Sequence, residues 1–405
     1  MERIDNLNQT PRSSRLHIGI YGRRNSGKSS LVNAICTHKV SLVSDIAGTT
    51  TDPVYKSIEL HGLGACVLID TAGFDDVGKL GEMRVESTLE ATKKTDIAIL
   101  LFSAELNPSD SFEKEIQWLK ILKKQNTPVL VVINKADIVE DTEQLKNAVK
   151  NITKLEPLVI SANDPQIQGI IRFALIRLLP ENYQSMSITG RLVKEGNVVL
   201  LVMPQDIQAP EGRLILPQVQ TIRDLLDNRA TVVCTTTDKL DCSLNSLKKP
   251  PELIITDSQA FSYVYEHKPE ESKLTSFSIL LSAIKGDINV MIESAKALDT
   301  LPSNAHILMA EACTHAPLEN DIGRIKIPNL LRKKYGNGLV FDTVTGTDYP
   351  ENLEEYDLII HCGACMFNRK YVLNRLELAQ KANVPMTNYG VVLAKLGGIL
   401  DKIVY

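Results

Sequence analysis

The sequence predicts an α/β protein built from more than one domain, and three observations support this. From residue 16 to about residue 180, short apolar runs alternate with helix-like stretches, which is the pattern of a doubly wound sheet with parallel strands. A glycine-rich loop at residues 22–29 separates the first apolar run from the first helix-like stretch. The chain has 405 residues, whereas one hydrophobic core serves roughly 100–200 residues.

The first domain is predicted to span residues 1–182. Its strands are expected at Leu16–Tyr21, Ala65–Ile69, Asp96–Phe102, Pro128–Ile133 and Pro157–Ile160, and its helices near Lys28–Thr37, Ser111–Lys124 and Gln144–Thr153. Because the carboxyl ends of parallel strands meet at one edge of a sheet, motifs that follow these strands should converge there.

Two further domains are expected after a proline-bearing linker at residues 179–184. The second, residues 183–272, is predicted to be a small α+β module with strands at Val198–Met203 and Thr231–Cys234 and a helix around Val219–Asp227. It contains no evident catalytic constellation. A charged, proline-bearing break at 266–273 precedes the third domain, residues 273–405, which is expected to be α/β and to carry a cluster of cysteine and histidine.

The composition is that of a soluble globular chain. A formal net charge of -4 and 5% aromatic residues give no reason to expect nucleic acid as a partner. The longest apolar runs are far below the about 20 residues of a membrane span, and residues 1–5 lack the apolar core of a signal peptide. We therefore expect a cytoplasmic protein with no membrane partner. Its seven cysteines should stay reduced there, so a closely spaced pair favours metal binding over a disulfide.

Residues 22–29 fit the pattern G-x-x-x-x-G-K-S, which holds nucleotide phosphates between a strand and a helix. Gly22 and Gly27 let backbone N–H groups face the phosphates, and the helix that follows presents its positive end. Lys28 is expected to reach the outer phosphates, and the Ser29 hydroxyl to ligate Mg²⁺. The other predicted nucleotide contacts of this segment are Asn25, Ser26 and Ser30.

Three later motifs complete a guanine nucleotide site. Asp70, after one strand, is expected to hold Mg²⁺ through water, and the Gly73 amide to sense the terminal phosphate. In the segment Asn134-Lys135-Ala136-Asp137, the carboxylate can accept two hydrogen bonds from guanine, which adenine cannot donate. Ser161-Ala162 offers a backbone amide to the guanine carbonyl. Four motifs in this order, each after an apolar strand, predict a site for GTP and GDP.

Residues 16–180 resemble the translation-factor-like GTPases, especially the Era/TrmE-like branch of tRNA-modification and ribosome-assembly enzymes. The resemblance identifies residues 48–52 as the G-T-T-R-D switch segment, with Thr51 in place of arginine and Thr50 as the Mg²⁺-sensing residue. Lys28, Thr50 and Gly73 are thus the expected catalytic residues.

Two residues of this domain bear on the rate of hydrolysis. Phe74 stands where many GTPases carry a water-orienting glutamine, so hydrolysis should be slow. Asn25 matches the asparagine that ligates K⁺ in potassium-activated relatives, so hydrolysis should be faster in potassium than in sodium. The plainer interpretation of Asn25 is a side chain that stabilises the loop.

A second kind of site is indicated near the end of the chain. His361-Cys362-Gly-Ala-Cys365 follows an apolar strand, and Cys313-Thr-His315 follows another. A C-x-x-C turn lets two thiolates reach one metal centre, and Cys313 would supply a third. The spacing alone is equally compatible with zinc, completed by His315 or His361, and with a 4Fe-4S cluster. The other four cysteines, Cys36, Cys66, Cys234 and Cys242, lack close partners and are expected to be structural.

These cysteine motifs, joined behind a GTPase domain, resemble the FeFe-hydrogenase maturation GTPases of the HydF family over essentially the whole chain. The resemblance implies that Cys313, Cys362 and Cys365 hold a 4Fe-4S cluster with an exchangeable fourth position. His315 and His361 are either further candidate ligands or hydrogen-bond donors that support the ligands. It also implies a homodimeric scaffold or carrier. Such a carrier receives a diiron precursor made with radical-SAM maturases and delivers it to apo FeFe-hydrogenase.

Two other functions stay open at this point. The first is an RNA- or ribosome-associated Era-like GTPase with a structural zinc, which the acidic balance and the lack of a basic, aromatic-rich module disfavour. The second is a protein whose cluster itself does redox work. The chain lacks the C-x-x-x-C-x-x-C spacing of radical-SAM enzymes, so this alternative ranks last.

Overall fold

The structure is a computed structural model of the chain, and it describes residues 10–36, 53–73, 79–179, 187–204, 214–312 and 321–405. The described residues form two compact units, one within 10–179 and the other within 187–405. Some predicted features lie outside the described residues: residues 180–184 of the linker, the switch segment with Thr50, Phe74, and Cys313 with His315. No helix in the described part of the chain is long and apolar enough to cross a membrane.

The first unit contains a six-stranded sheet in the order β2-β3-β1-β4-β5-β6. Its strands are β1 Leu16–Gly22, β2 Val54–Leu60, β3 Gly64–Asp70, β4 Ile97–Ser103, β5 Val129–Asn134 and β6 Leu158–Val159. Its helices are α1 Lys28–Cys36, α2 Lys79–Thr92, α3 Glu113–Lys124, α4 Glu143–Thr153 and α5 Ile167–Leu178. All neighbouring strands run parallel except β2, which pairs antiparallel with β3 at the edge.

The predicted α/β fold is confirmed, and the five predicted strands are present. Side chains of β4 alternate between two apolar cores: Ile99 packs with helices α1 and α5, whereas Leu100 packs with α3 and α4. Helices therefore cover both faces, which is why β4 is apolar from Ile97 to Phe102 and β5 from Val129 to Ile133. Strand β2 was not predicted, because only one side of this edge strand is apolar and polar residues interrupt its pattern.

The second unit contains two four-stranded sheets, and the first of them has the order β10-β9-β7-β8. Its strands are β7 Val198–Val202, β8 Thr231–Thr235, β9 Leu253–Thr256 and β10 Lys273–Ser276, with helices α6 Leu216–Asp227, α7 Leu240–Ser246, α8 Phe261–His267 and α9 Phe277–Lys285. All four strands run parallel, and strands alternate with helices along the chain. This sheet is therefore of the α/β type, whereas an α+β module was predicted. Strand β10 follows the predicted boundary at 272, so the sheet extends past it.

The other sheet of this unit has the order β12-β11-β13-β14 and is also parallel throughout. Its strands are β11 His306–Ala310, β12 Val340–Val344, β13 Leu358–His361 and β14 Met386–Asn388, and the helices are α10 Ile288–Ser294, α11 Ile327–Tyr335, α12 Arg369–Lys381 and α13 Tyr389–Leu396. The predicted cysteine motifs follow β11 and β13, which are neighbours in the sheet.

Helix α13 joins the apolar cores of the two sheets in the second unit, since Val392 and Leu393 pack with β11 and β13. Val391 and Ala394 of α13 pack with Leu200 of β7 and Ile254 of β9. Further along the chain, Val404 donates its backbone N–H to the carbonyl of Leu274 in β10, at 2.9 Å. Residues that follow β14 therefore complete the core that packs against β7 and β9.

Candidate functional site

The phosphate loop connects β1 to α1, as predicted. Two residues turn it through the left-handed region, Asn25 at φ 61° and Gly27 at φ 91°. A Cβ at Gly22 would lie 2.7 Å from Ser26 Oγ and 2.8 Å from the Leu101 carbonyl oxygen, so this position requires glycine. The Ser26 hydroxyl donates to the Arg23 carbonyl at 2.9 Å and tightens the loop.

Lys28 lies inside this loop. Its side chain is 7% exposed, and Nζ donates to the carbonyls of Gly22 at 3.0 Å and Arg23 at 2.7 Å. The ammonium is therefore fixed at the concave side of the loop, where a phosphate anion would meet it together with the N-terminus of α1.

Asp70 ends β3 beside the start of α1. Burial raises the pKa of its carboxyl group, while a hydrogen bond from the Ser29 side chain and the charge of Lys28 act in the opposite direction. Its Oδ1 is buried without a hydrogen-bond partner among the described residues. An orphaned carboxylate oxygen next to a serine hydroxyl fits a hard cation such as Mg²⁺, which takes oxygen ligands.

The loop after β5 is joined to the phosphate loop by Asn134. This side chain is 1% exposed, its Nδ2 donates to the Ser26 carbonyl at 3.1 Å, and its Oδ1 accepts from the Ala162 N–H at 3.0 Å. A Cβ at Gly27 would lie 2.2 Å from that Nδ2. One amide thus ties three predicted segments together, a bridging role that the sequence did not indicate.

Asp137 lies at the surface next to the loop after β6. Hydrogen bonds from Ser161 and from Asn163 hold the pKa of its carboxyl group below the usual range. Asn163 Nδ2 donates to Oδ2 at 2.9 Å. The carboxylate is therefore held ionised and oriented. Asn163 was missed from the sequence, although it directly follows Ser161-Ala162.

Arg23 anchors the phosphate loop to α3. Its Nη2 donates to Glu115 Oε2 at 2.9 Å and its Nε to the other carboxylate oxygen, and Glu115 is 1% exposed. Such a two-point guanidinium–carboxylate contact fixes orientation as well as distance. The pair spans 92 positions in sequence, so no local pattern could have revealed it.

The C-x-x-C turn follows β13, as predicted. Cys362 Sγ accepts hydrogen bonds from the backbone N–H groups of Ala312 at 3.0 Å and Ala364 at 3.4 Å. Ala364 has φ 52°, so the turn between the two thiols passes through the left-handed region. Ala312 is the last described residue before Cys313, which lies outside the described residues.

The donor set suits a soft metal centre. Backbone N–H groups directed at a sulfur stabilise a thiolate. Burial raises the pKa of the free Cys362 thiol to about 11, so a metal would have to displace its proton. No group of three or more metal-binding side chains is found among the described residues, and Cys313 and His315 are not among them.

His361 stabilises the C-x-x-C turn through a hydrogen bond. Its Nδ1–H donates to the Cys362 carbonyl at 2.8 Å, and its Nε2 accepts from Arg375 Nη1 at 3.0 Å. Burial, followed by the charge of Arg375, lowers the pKa of the ring to about 3. Both ring nitrogens of this neutral histidine have protein partners, so in this arrangement it offers none to a metal, contrary to its role as a candidate ligand.

Two buried cations next to the turn were missed from the sequence. Arg375 is 2% exposed and lies over the rings of Tyr349, Phe367 and Tyr371, with centroid distances of 4.6, 4.8 and 5.1 Å. Lys285, at the end of α9, is 4% exposed and contacts the same turn. Both belong to helices whose sequences read as ordinary amphipathic or apolar segments.

Three family models match the chain in the order of its sheets. Residues 17–135 match the 50S ribosome-binding GTPase model, residues 188–286 the Hydrogen maturase F dimerization domain, and residues 289–405 the Hydrogen maturase F tetramerization domain.

Curated relatives match part of the chain. A GTPase Der of Wolinella succinogenes is 31% identical over 48% of this chain and 41% of its own length. A tRNA modification GTPase MnmE of Janthinobacterium sp. is 31% identical over 47% of this chain and 40% of its own length. The chain thus spans about two fifths of the length of these relatives. Among solved structures, Era in complex with MgGDPNP and a segment of 16S ribosomal RNA has 19% identity and a TM-score of 0.35, covering 55% of this chain and 93% of that one.

Proposed function

The chain belongs to the HydF-type hydrogenase maturases and carries an Era/TrmE-like GTPase domain, and we propose that it acts as a GTP-binding scaffold or carrier in the maturation of FeFe-hydrogenase. The observation that carries this proposal is the presence, in one chain, of a phosphate loop around Lys28 and a C-x-x-C turn with N–H groups directed at its sulfur. The first suits a nucleotide and the second a metal cluster.

In the first unit, the proposed ligand is GTP with Mg²⁺, hydrolysed slowly to GDP and phosphate. Lys28 binds the outer phosphates, Ser29, Asp70 and Thr50 hold Mg²⁺, and Gly73 senses the terminal phosphate. Asp137 pairs with guanine. The Ala162 N–H donates to Asn134 Oδ1 at 3.0 Å in the structure, so its proposed contact with the guanine carbonyl has to share or replace that hydrogen bond. Phe74 has no group to orient the attacking water, so the unassisted rate should be low.

We assign Asn25 to K⁺. Its backbone is in the left-handed region, which asparagine tolerates better than most residues, and the residue is exposed, so an ion can reach it. Hydrolysis should be faster in potassium chloride than in sodium chloride at equal ionic strength. Asn25→Gly keeps the backbone conformation and removes the amide, so it should lose the difference. Equal wild-type rates in the two salts would refute the assignment.

In the second unit, Cys362, Cys365 and Cys313 are the proposed ligands of a 4Fe-4S cluster. When bound, this group supplies an iron with an exchangeable coordination position. Around it, Ala312 and Ala364 donate N–H groups to the Cys362 sulfur, and His361 with Arg375 supports the loop. His315 stays a candidate for the exchangeable position.

Anaerobic reconstitution with iron and sulfide tests this assignment. The wild type should become brown with broad visible absorption, and Cys362→Ala should lose most of it. Cys234→Ala is the matched control, because Cys234 is an exposed cysteine of β8 outside the motif. A colourless protein with one bound zinc would instead support an RNA-associated GTPase with a structural metal.

The proposed cargo is a diiron precursor received from radical-SAM maturases and delivered to apo FeFe-hydrogenase by a homodimer. A switch segment ordered by the terminal phosphate of GTP could alter the contacts with those maturases. The decisive assay is activation of purified apo-hydrogenase by the cargo-loaded protein. Failure of loaded protein under conditions in which another carrier succeeds would refute the carrier function.

A further inference from the structure

Lys285 makes an unusual set of contacts. Its Nζ donates to the carbonyls of Ala364 at 2.9 Å, Cys365 at 3.1 Å and Phe367 at 2.8 Å. An ammonium has three N–H donors, so these contacts use all of them. The side chain is 4% exposed, and a lysine is buried this deeply only when its charge is compensated.

The compensating charge does not come from a carboxylate of the described residues. The hydrogen-bond partners of Lys285 are neutral carbonyls. Burial lowers the pKa of its ammonium group to about 8, and negative charge on the sulfurs of Cys365 and Cys362 would act in the opposite direction. A 4Fe-4S cluster bound by three thiolates is anionic in its oxidised state, so a cluster at this turn would supply the negative charge that the site lacks.

The first turn of the same helix lies close to the C-x-x-C turn. A Cβ built on Gly363 would lie 3.9 Å from the Cβ of Ser278, in the first turn of α9. Helix α9 directly follows β10, so the C-x-x-C turn rests on an element that continues the preceding sheet.

From these contacts we propose that Lys285 is a positioning residue for the cluster: it holds the turn that presents Cys362 and Cys365, and its charge raises the reduction potential of the bound cluster. The physical reason is that the reduced cluster is one charge more negative than the oxidised one, so a buried cation beside it stabilises the reduced form more. The proposal rests on the cluster assignment above.

Three variants separate charge from hydrogen bonding. Lys285→Met removes both, Lys285→Gln keeps N–H donors without charge, and Lys285→Arg keeps the charge. Lys395→Met is the matched control, because Lys395 lies in the same unit but forms a surface ion pair with Asp299. Each protein is reconstituted anaerobically, and the midpoint potential is measured by a redox titration followed by electron paramagnetic resonance. Loss of iron to a chelator is followed in parallel.

We expect lower midpoint potentials for Lys285→Met and Lys285→Gln, a wild-type potential for Lys285→Arg and the control, and severalfold faster iron loss for Lys285→Met. A purely structural lysine would change iron occupancy while the remaining clusters kept the wild-type potential, and that result would overturn the electrostatic part. If Lys285→Met does not fold, the Gln and Arg variants still decide. Wild-type potential and iron retention in all three would overturn this proposal alone, whereas a wild type that takes up no cluster would overturn the cluster assignment itself.

Discussion

Replacing Asn134 by alanine should weaken guanine-nucleotide binding and destabilise the first unit. In the native structure the buried amide joins the phosphate loop at Ser26 to the base loop at Ala162. Truncation leaves the Ser26 carbonyl and the Ala162 N–H without these partners. Each unsatisfied buried group costs about 1–3 kcal/mol, so the total loss should be about 2–6 kcal/mol.

This loss is divided between two measurable quantities. Loss of the hydrogen bonds that already exist without nucleotide lowers the free energy of unfolding. Loss of the hydrogen bonds that matter only when both loops hold the nucleotide lowers the affinity for that nucleotide. A loss of about 2 kcal/mol in binding free energy corresponds to a roughly 30-fold higher Kd. Urea denaturation followed by the fluorescence of Trp118, the single tryptophan, gives the first quantity, and titration with a fluorescent GDP analogue gives the second.

The matched control is Asn33→Ala, which removes a hydrogen bond with Lys56 on the exposed surface of α1. It should leave both quantities close to wild type. Asn134→Asp should be at least as damaging as Asn134→Ala, because it places an oxygen opposite the Ser26 carbonyl. If Asn134→Ala matched Asn33→Ala in both unfolding and affinity, the bridge would have no energetic role.

Three further predictions concern single residues. Asp137→Asn should raise the Kd for GDP by about 100-fold or more, since each hydrogen bond to a charged group contributes about 1.5–3 kcal/mol. The variant should also favour xanthine nucleotides over guanine nucleotides. An unchanged ratio of GDP to XDP affinity would contradict the assigned base contact. Burial lowers the pKa of His17 to about 4 from 6.5, although Asp96 Oδ2 lies 3.8 Å from Nδ1 and favours the charged ring. The unfolded state therefore binds more protons than the folded state between these two pH values. The free energy of unfolding should fall as the pH drops from 6.5 toward 4, by up to about 1.4 kcal/mol per pH unit from this group. Urea titrations followed by Trp118 should give a shallower slope of stability against pH for His17→Gln, and an identical slope would exclude His17 as the cause. Arg375→Met removes the donor to His361 Nε2 and should destabilise the second unit by about 2–4 kcal/mol; calorimetry measures this, with exposed Arg223→Met as a control that should change little.

The sequence predicted the parts of the fold that local chemistry determines. Strands β4 and β5 are covered on both faces and are therefore apolar along nearly their whole length. The phosphate loop needs glycine at position 22 for a steric reason that holds wherever this loop occurs. Strands β2, β9, β10, β12 and β14 were not predicted. The first is a half-polar edge strand, and the second has only four residues, too few for a periodic pattern.

The supporting residues of the metal turn could not be predicted in the same way. Lys285 ends an apolar helix, where a lysine usually faces solvent and interacts with the helix dipole. Its partner Ala364 is 79 positions away. His361 stands next to a cysteine motif and so suggests a ligand, whereas its actual partner, Arg375, lies on α12. Such roles depend on tertiary contacts that no local pattern records.

The contribution of α13 to the core against β7 and β9 also has a consequence for biosynthesis. The chain emerges from the ribosome with β7 to β10 long before α13, yet Val391 and Ala394 complete the apolar layer beneath Leu200 and Ile254. Until the ribosome has released those later residues, the earlier sheet must expose part of that layer to water. Nascent chains that end before residue 391 should therefore depend on chaperones, whereas the first unit contains its own core and can fold while translation continues.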